Sequence, residues 1–151
     1  MSNLALTADL FSLFAEPARV RLAALLARHE LTVAEIVAIT EMAQSRVSTH
    51  LGKLREAGVL RDRRDGPHTF YSMQRDGMPK AAGRVWKLIE DGVKDSVLEA
   101  DLARCESLLA ARNAGKKFPD AFAGEMERHY SPGRTWEATA RAFAAMMRAG
   151  D

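Results

Sequence analysis

Residues 41–64, EMAQSRVSTHLGKLREAGVLRDRR, decide the fold that this sequence predicts. One apolar stripe at helical spacing, i, i+4, i+8 and i+11, consists of Ala43, Val47, Leu51 and Leu54. The outward face carries short hydrogen-bonding side chains, Gln44, Ser45, Ser48 and Thr49. A merely solvated face usually carries Glu and Lys, since Ser and Thr are mediocre helix formers. Short polar groups suit contacts with base edges or phosphates, so the stretch predicts a DNA-recognition helix that runs into a basic strand.

Helices are predicted on the N-terminal side of this stretch. Apolar spacing predicts a first helix that ends near Phe14, and Pro17 starts a second that runs to about His29. Thr32 and Glu35 have capping-box spacing, which predicts a short third helix ending near Thr40. A short helix, a tight turn and a second helix form a helix-turn-helix.

A hairpin is predicted directly after the recognition helix. Gly58 can take the left-handed conformation that ends a helix. Two strand-like runs, 59–64 and 68–73, flank Asp65-Gly66, a dipeptide favoured in hairpin turns because both residues tolerate positive φ. A hairpin in this position is a wing.

The C-terminal half predicts a helical extension, with helices at about 80–91 and 94–112. An apolar stripe on the second of these is long enough to pack against another long helix: Leu98, Leu102, Cys105 and Leu109. We interpret it as a dimerisation surface. The fold class is therefore mainly α with a small β-hairpin, a winged helix-turn-helix with a C-terminal helical dimerisation extension. The expected divisions are 1–78 for DNA binding, 79–114 for dimerisation and 115–151 for a helical tail or connector.

Composition limits the class of protein. The 151 residues are 47% hydrophobic and 28% charged with a net charge of +2, which is ordinary for one globular domain. The positive charge is concentrated, since residues 44–76 hold six Arg and one Lys against three Asp and one Glu. A single cysteine fits a reducing compartment, and no apolar run approaches the length of a membrane span. The sequence therefore predicts a cytoplasmic protein without a membrane segment.

Four phrases carry a family resemblance: FAEPARVRLAALL (14–26), ELTVAEI (30–36), SRVSTHLGKLREAGVLRDRRDG (45–66) and FYSM (70–73). In this order and at this separation, they resemble the ArsR/SmtB family of winged-helix transcriptional repressors. The resemblance implies a homodimer that binds an imperfect inverted repeat of double-stranded DNA and leaves it when an effector binds. Its two recognition helices would enter successive major grooves about one helical turn apart.

The sequence departs from the family pattern at both ends of the predicted DNA-binding surface. Family members usually have Gly and Ser where this chain has Glu41 and Ala43, so the turn lacks an easy positive-φ residue and the helix lacks its N-cap hydroxyl. Each change is expected to cost about 1 kcal/mol. At the wing tip, Pro67 and His68 replace a basic and an aromatic residue.

The usual metal ligands of the family are also missing. Arsenic- and metal-sensing members place cysteines in the third helix, where this chain reads ELTVAE (30–35), and residues 79–112 contain no His for the other common site. A four-ligand site needs more than Cys105 and scattered histidines. We therefore predict no metal at the usual sites and no cofactor, with a small organic effector or no effector.

The predicted DNA contacts are Gln44, Ser45, Arg46, Ser48, Thr49, His50, Lys53, Arg55, Arg63, Arg64 and His68. The alternative for the basic residues is a solvated surface, and His50 is equally compatible with a structural hydrogen bond and a phosphate contact. Arg61 and Arg63 share one strand face, so not all three wing arginines can point at DNA. Cys105 is expected to be a buried small hydrophobe rather than a redox sensor. Trp86 and Trp136 are expected to be packing residues, with the wall of an effector pocket as the alternative.

The tail leaves two other readings open. Residues 130–137, YSPGRTWE, resemble the connector of ArsR-type regulators fused to an S-adenosylmethionine-dependent methyltransferase. No Gly-rich cofactor loop follows before Asp151, so no catalytic residue is predicted. The chain is either a stand-alone regulator or the N-terminal fragment of such a fusion, and a dimerisation module that does not read DNA is a third reading.

Overall fold

The computed structural model describes residues 3–114. In chain order its elements are α1 (Asn3–Phe14), α2 (Pro17–Leu26), β1 (Leu31–Thr32), α3 (Val33–Thr40), α4 (Gln44–Glu56), β2 (Leu60–Asp65), β3 (His68–Met73), α5 (Lys80–Gly92) and α6 (Ser96–Asn113). The predicted winged helix-turn-helix is confirmed. The expectations for the tail, including Trp136, lie outside the described residues.

The recognition helix is α4, and its two faces are those that the spacing predicts. Val47, Leu51 and Leu54 are fully buried on the side that packs against α2 and α3. Burying each of these apolar side chains contributes about 2 kcal/mol to stability, which holds the helix against the rest of the domain. The opposite, polar face is thereby fixed outward.

The turn before α4 has a strained residue at Glu41, as expected because family members usually have glycine there. Thr32 and Glu35 form the predicted capping box at the start of α3. At the other end of α3, Glu41 adopts a left-handed conformation with φ 60° and ψ 16°. No side chain caps the first turn of α4, since its N-cap residue is Ala43.

The sheet has three strands rather than the predicted two, in the order β1-β3-β2. The additional strand, β1, pairs antiparallel with β3 through Leu31 opposite Tyr71 and Thr32 opposite Phe70. Two residues are too few to show strand periodicity, and Thr32 is also the N-cap of α3, which hides its strand role in the sequence. The short strand ties the wing to the start of the helix-turn-helix.

The wing turn lies one residue later than predicted. Asp65 pairs with His68 at the end of the β2-β3 ladder, so the loop residues are Gly66 and Pro67. Gly66 has φ 60°, which glycine adopts without steric cost, while proline fixes a negative φ at the second position. The departure at Pro67 is therefore compatible with a tight hairpin.

The helical extension packs onto the winged domain. Ala82, Trp86, Cys105 and Leu108 are buried in the same apolar cluster as the core of α2, α3 and α4. Trp86 packs on Phe14 with ring centroids 6.0 Å apart, as expected of a packing residue. None of the helices within residues 3–114 is long and apolar enough to cross a bilayer.

The buried face of α6 differs from the predicted stripe. The fully buried residues are Asp101, Cys105 and Leu108, which face α2 and α3, whereas Leu98, Leu102 and Leu109 are only half-buried at the edge. An apolar-spacing argument passes over Asp101 because it is charged. The centre of the stripe assigned to dimerisation thus packs within the protomer.

Candidate nucleic-acid interface

The outer face of α4 presents the predicted polar side chains. Ser45, Ser48 and Thr49 are exposed and Gln44 is half-buried. Gln44 Nε2 donates to Ser48 Oγ over 3.1 Å, and Thr49 Oγ1 donates to the carbonyl oxygen of Ser45 over 2.9 Å. These bonds orient the side chains along the helix while leaving the face accessible.

Two basic residues of α4 are held by the junction between α1 and α2. Arg46 Nη2 lies 3.4 Å from Glu16 Oε1, and Arg19 Nη1 lies 3.2 Å from His50 Nδ1. Arg19 also donates to the carbonyl oxygens of Leu13 and, over 3.1 Å, of Ser12, which are at the end of α1. Sequence reasoning did not identify Glu16 and Arg19, although a charged pair around Pro17 at the start of a helix was visible.

The environment of His50 favours its neutral form. Burial lowers the pKa of the His50 imidazole below its ordinary value, and the nearby Arg19 guanidinium lowers it further. A neutral ring can accept the Arg19 hydrogen bond at Nδ1 and donate from Nε2. Of the two predicted roles, the structural hydrogen bond is therefore present, and a phosphate contact from the other nitrogen stays a prediction.

The arginines of the wing are divided between its two faces. Asp62 and Arg64 share one face of β2, and Asp62 Oδ2 accepts from Arg55 Nη1 of α4 over 3.1 Å. This face is therefore on the recognition-helix side. Arg64 and Lys53 are exposed and form no ion pair with any residue of the described part of the chain.

Arg63 lies on the opposite face and is bound to the protein itself. Its guanidinium donates to both carboxylate oxygens of Glu30, over 2.7 Å and 3.2 Å, and lies 4.9 Å from the centroid of the Phe70 ring. The hydrogen bond from Arg63 lowers the pKa of the Glu30 carboxyl group. Arg61, on the same face, donates to Ser72 Oγ over 3.2 Å. The structure thus does not bring Arg63 together with Arg64.

His68 is half-buried at the start of β3, and its ring centroid lies 6.4 Å from that of Phe70. His68 therefore lies in the wing, as the sequence predicts. Its ring contacts Phe70, and it is placed on β3 rather than on the recognition helix α4. Within residues 3–114, the candidate interface therefore consists of the outer face of α4 and the surrounding side chains of Lys53, Arg55 and Arg64.

Residues 3–114 bear on two kinds of sensor chemistry, a metal site and a reactive thiol. They contain no group of three or more His, Cys, Asp or Glu side chains arranged to hold a metal ion. Cys105 is fully buried, and burial raises the pKa of its thiol to about 11. Since thiolate is the reactive form, Cys105 is the buried small hydrophobe that the sequence predicts.

Comparison with known proteins places this geometry in a family. The sequence model described as "Bacterial regulatory protein, arsR family" matches residues 16–62, which run from the start of α2 into β2. The HlyU protein from Vibrio cholerae has a similar structure, with a TM-score of 0.52 and 25% sequence identity over 62% of this chain and 98% of that one.

Two curated relatives extend the match. The arsenic resistance transcriptional regulator ArsR1 of Pseudomonas putida is 42% identical over 64 residues, which are 42% of this chain and only 50% of that relative. A probable mercury resistance operon repressor of Streptomyces lividans is 37% identical over 108 residues, 72% of this chain and 70% of that protein. Both names describe regulators rather than enzymes. With the fold and the recognition helix, these matches show that the chain belongs to the ArsR/SmtB family of bacterial transcriptional regulators.

Proposed function

We propose that this protein is a homodimeric, DNA-binding transcriptional repressor whose α4 helix reads an inverted repeat. The observation that carries this proposal is the outer face of α4. It combines exposed Ser45, Ser48 and Thr49 with a fully buried inner stripe, so the polar face has a fixed direction. Small hydroxyl side chains allow a helix to approach the edges of bases closely in the major groove.

The surrounding basic residues supply the phosphate contacts in this proposal. Lys53 and Arg64 are exposed and lack an ion pair within the described chain, and Arg55 is 54% exposed beside Asp62. Cations in this position release counterions from DNA and fix the register of the protein without reading sequence. Gln44, Ser45, Ser48 and Thr49 are assigned to base readout. Such a protein acts on chromosomal DNA in the cytoplasm.

Dimerisation is assigned to the surface of α1 and α5, which pack against each other. Leu4 and Phe11 lie one above the other on α1 and are 80% and 56% exposed, and Leu88 on α5 is 70% exposed. Exposed large apolar side chains on two helices that pack together favour an interaction site there. The surface differs from the α6 stripe that the sequence favoured, because the centre of that stripe is covered by α2 and α3.

We further propose that no metal ion at the third-helix site releases this protein from DNA, so that the effector is a small organic molecule or there is none. Support comes from the residues at the third-helix position, where Thr32 caps α3 and Ala34 stands in place of a second thiolate. Zinc or arsenite added in slight excess should leave the dissociation constant for DNA unchanged within about twofold. A loss of binding at stoichiometric zinc or arsenite would show that the chain has metal ligands of another kind.

The direct test is selection of duplexes from a randomised pool, followed by fluorescence anisotropy with a recovered duplex and a shuffled duplex of equal composition. We expect Ser48→Ala and Thr49→Ala to weaken binding of the recovered duplex roughly tenfold and of the shuffled duplex much less. Ser107→Ala is a matched control, since Ser107 is an exposed serine on α6, outside both the recognition helix and the surface of α1 and α5. Equal losses on both duplexes would refute the assigned base contacts, and a wild-type protein that enriches no duplex would favour an adaptor module.

A further inference from the structure

The end of α3 is held by two arginines from other helices. Arg21 Nη2 of α2 donates to the carbonyl oxygen of Thr40 over 2.9 Å, and Arg104 Nε of α6 donates to that of Ile39 over 2.6 Å. These are two of the last four α3 carbonyls, which have no partner inside the helix. Residues 41–43 alone separate this end from α4, so its position sets where the recognition helix starts.

Both arginines are oriented by one buried carboxylate. Asp101 of α6 accepts from Arg21 over 2.8 Å and 2.9 Å, one bond to each oxygen, and from Arg104 Nη2 over 3.1 Å. Its side chain is 1% exposed, against 21% for Arg21 and 34% for Arg104. A paired fork of this kind fixes the plane of a guanidinium, and therefore the direction of its remaining donors.

The net positive charge of Arg21, Arg104 and Asp101 also suits the C-terminal end of α3. Cations near the C-terminus of a helix stabilise its dipole. The hydrogen bond to Asp101 is the main cause that raises the pKa of Arg21, and the Glu41 carboxylate adds to it. Glu41, in the left-handed position of this turn, is therefore attracted by the Arg21 guanidinium, an interaction that a glycine there could not make.

We propose that Asp101 is a positioning residue for DNA recognition, which holds Arg21 and Arg104 on the α3 carbonyls and thereby fixes the helix-turn-helix turn and the start of α4. The C-terminal helical extension then contributes to DNA recognition as well as to dimerisation. This inference rests on the proposed function for its consequence at DNA, while its structural content is independent of it.

A second ion pair on the same two helices provides a matched control. Arg112 Nη1 of α6 donates to Glu35 Oε2 at the start of α3 over 2.8 Å, and Glu35 is 5% exposed. This pair also ties α6 to α3, but at the end away from the turn. Arg112→Ala should therefore weaken the packing of α6 without releasing the turn.

Hydrogen exchange without DNA tests the structural content. Asp101→Asn and Arg104→Met should each raise the exchange of the Glu41, Met42 and Val47 amides, which bond to Val37, Thr40 and Ala43, by about tenfold more than Arg112→Ala does. Arg104 is partly exposed, so Arg104→Met keeps the test usable if Asp101→Asn does not fold. Exchange at the turn no greater than in Arg112→Ala would overturn the proposal.

Anisotropy with the selected duplex and its shuffled counterpart tests the consequence. Asp101→Asn should weaken the selected duplex about tenfold, within the range typical of coupled sites, and the shuffled duplex by less than about threefold. Sedimentation should show an unchanged dimer. Faster exchange at the turn with unchanged affinity would refute positioning. If the wild type selects no duplex, the proposed function fails, and the exchange measurement alone decides whether Asp101 holds the turn.

Discussion

Arg63 and Arg64 are neighbours with the same charge, yet the alternation of β2 gives them different surroundings. Arg63 is bound by Glu30 and Phe70, and Arg64 lies on the face that is turned to α4. We expect Arg64→Ala to weaken binding to selected and shuffled duplexes alike and to lower the salt slope of log K by about 1, since one phosphate contact is lost. Anisotropy titrations over a series of salt concentrations measure the slope.

Arg63→Ala is the matched control for this prediction. It removes an equal charge from the adjacent residue and should change the salt slope by clearly less than Arg64→Ala, because its guanidinium is engaged with the Glu30 carboxylate. Equal slopes for the two variants would mean that both arginines contact DNA.

Titration of His50 makes the stability of the domain depend on pH. Burial and Arg19 lower its pKa below the ordinary value of 6.5, so the folded state binds fewer protons than the unfolded state. The contribution of the neutral His50 ring to the free energy of unfolding is therefore fully present above about pH 6.5. It is lost as the pH falls through the lowered pKa of the folded state. We expect the urea midpoint to decrease between about pH 7 and pH 5, and to decrease less in His50→Gln. The same decrease in both proteins would exclude His50 as the cause.

Which residues form ion pairs could not be predicted from the sequence. The outward direction of Ser45, Ser48 and Thr49 followed from helical periodicity, which is a local property. Arg21 and Asp101, in contrast, are 80 positions apart in sequence, and their contact depends on how α6 packs on α2. No local pattern in the sequence indicates that Arg21 pairs inside the protein.

At the level of elements, one glycine within α4 and one just after it have opposite structural roles. Gly52 lies within the helix, and an added Cβ would meet no atom within 4 Å. Gly58 follows the helix with φ 77°, and a Cβ there would lie 3.0 Å from Pro79 Cδ. We expect Gly52→Ala to stabilise the protein by about 1 kcal/mol and Gly58→Ala to destabilise it by roughly 1 to 3 kcal/mol. Urea unfolding of the two variants measures both, and a stabilising Gly58→Ala would contradict the left-handed cap.

Sequence patterns predicted the elements whose signals are local and repeated. The capping box at Thr32 and Glu35 and the left-handed Gly58 are formed as expected. The strand β1 was missed because two residues show no period. The inner face of α6 was misplaced because Asp101 is buried by pairing with two arginines rather than by its own hydrophobicity.

At the scale of the whole molecule, a single recognition helix of the helix-turn-helix class reads only one half-site. Two recognition helices that are joined rigidly and read half-sites one helical turn apart gain affinity, because the second contact becomes intramolecular. In the proposed homodimer, the surface between the protomers would therefore determine the affinity for DNA even though it contacts no base. In this chain the exposed apolar residues of α1 and α5 are the surface available for it.

Phe11→Glu tests this connection. Phe11 is 56% exposed, so a glutamate should leave the folded protomer intact while it places a charge where two apolar surfaces meet. We expect a monomer by sedimentation, a circular dichroism spectrum unchanged from the wild type, and a dissociation constant for the selected duplex raised at least about 100-fold. Asp9→Lys, a charge change on another side of α1, is the control and should remain dimeric. A Phe11→Glu protein that stays dimeric and binds DNA normally would place the dimer interface elsewhere, with the half-buried edge of α6 at Leu98 and Leu102 as the next surface to test.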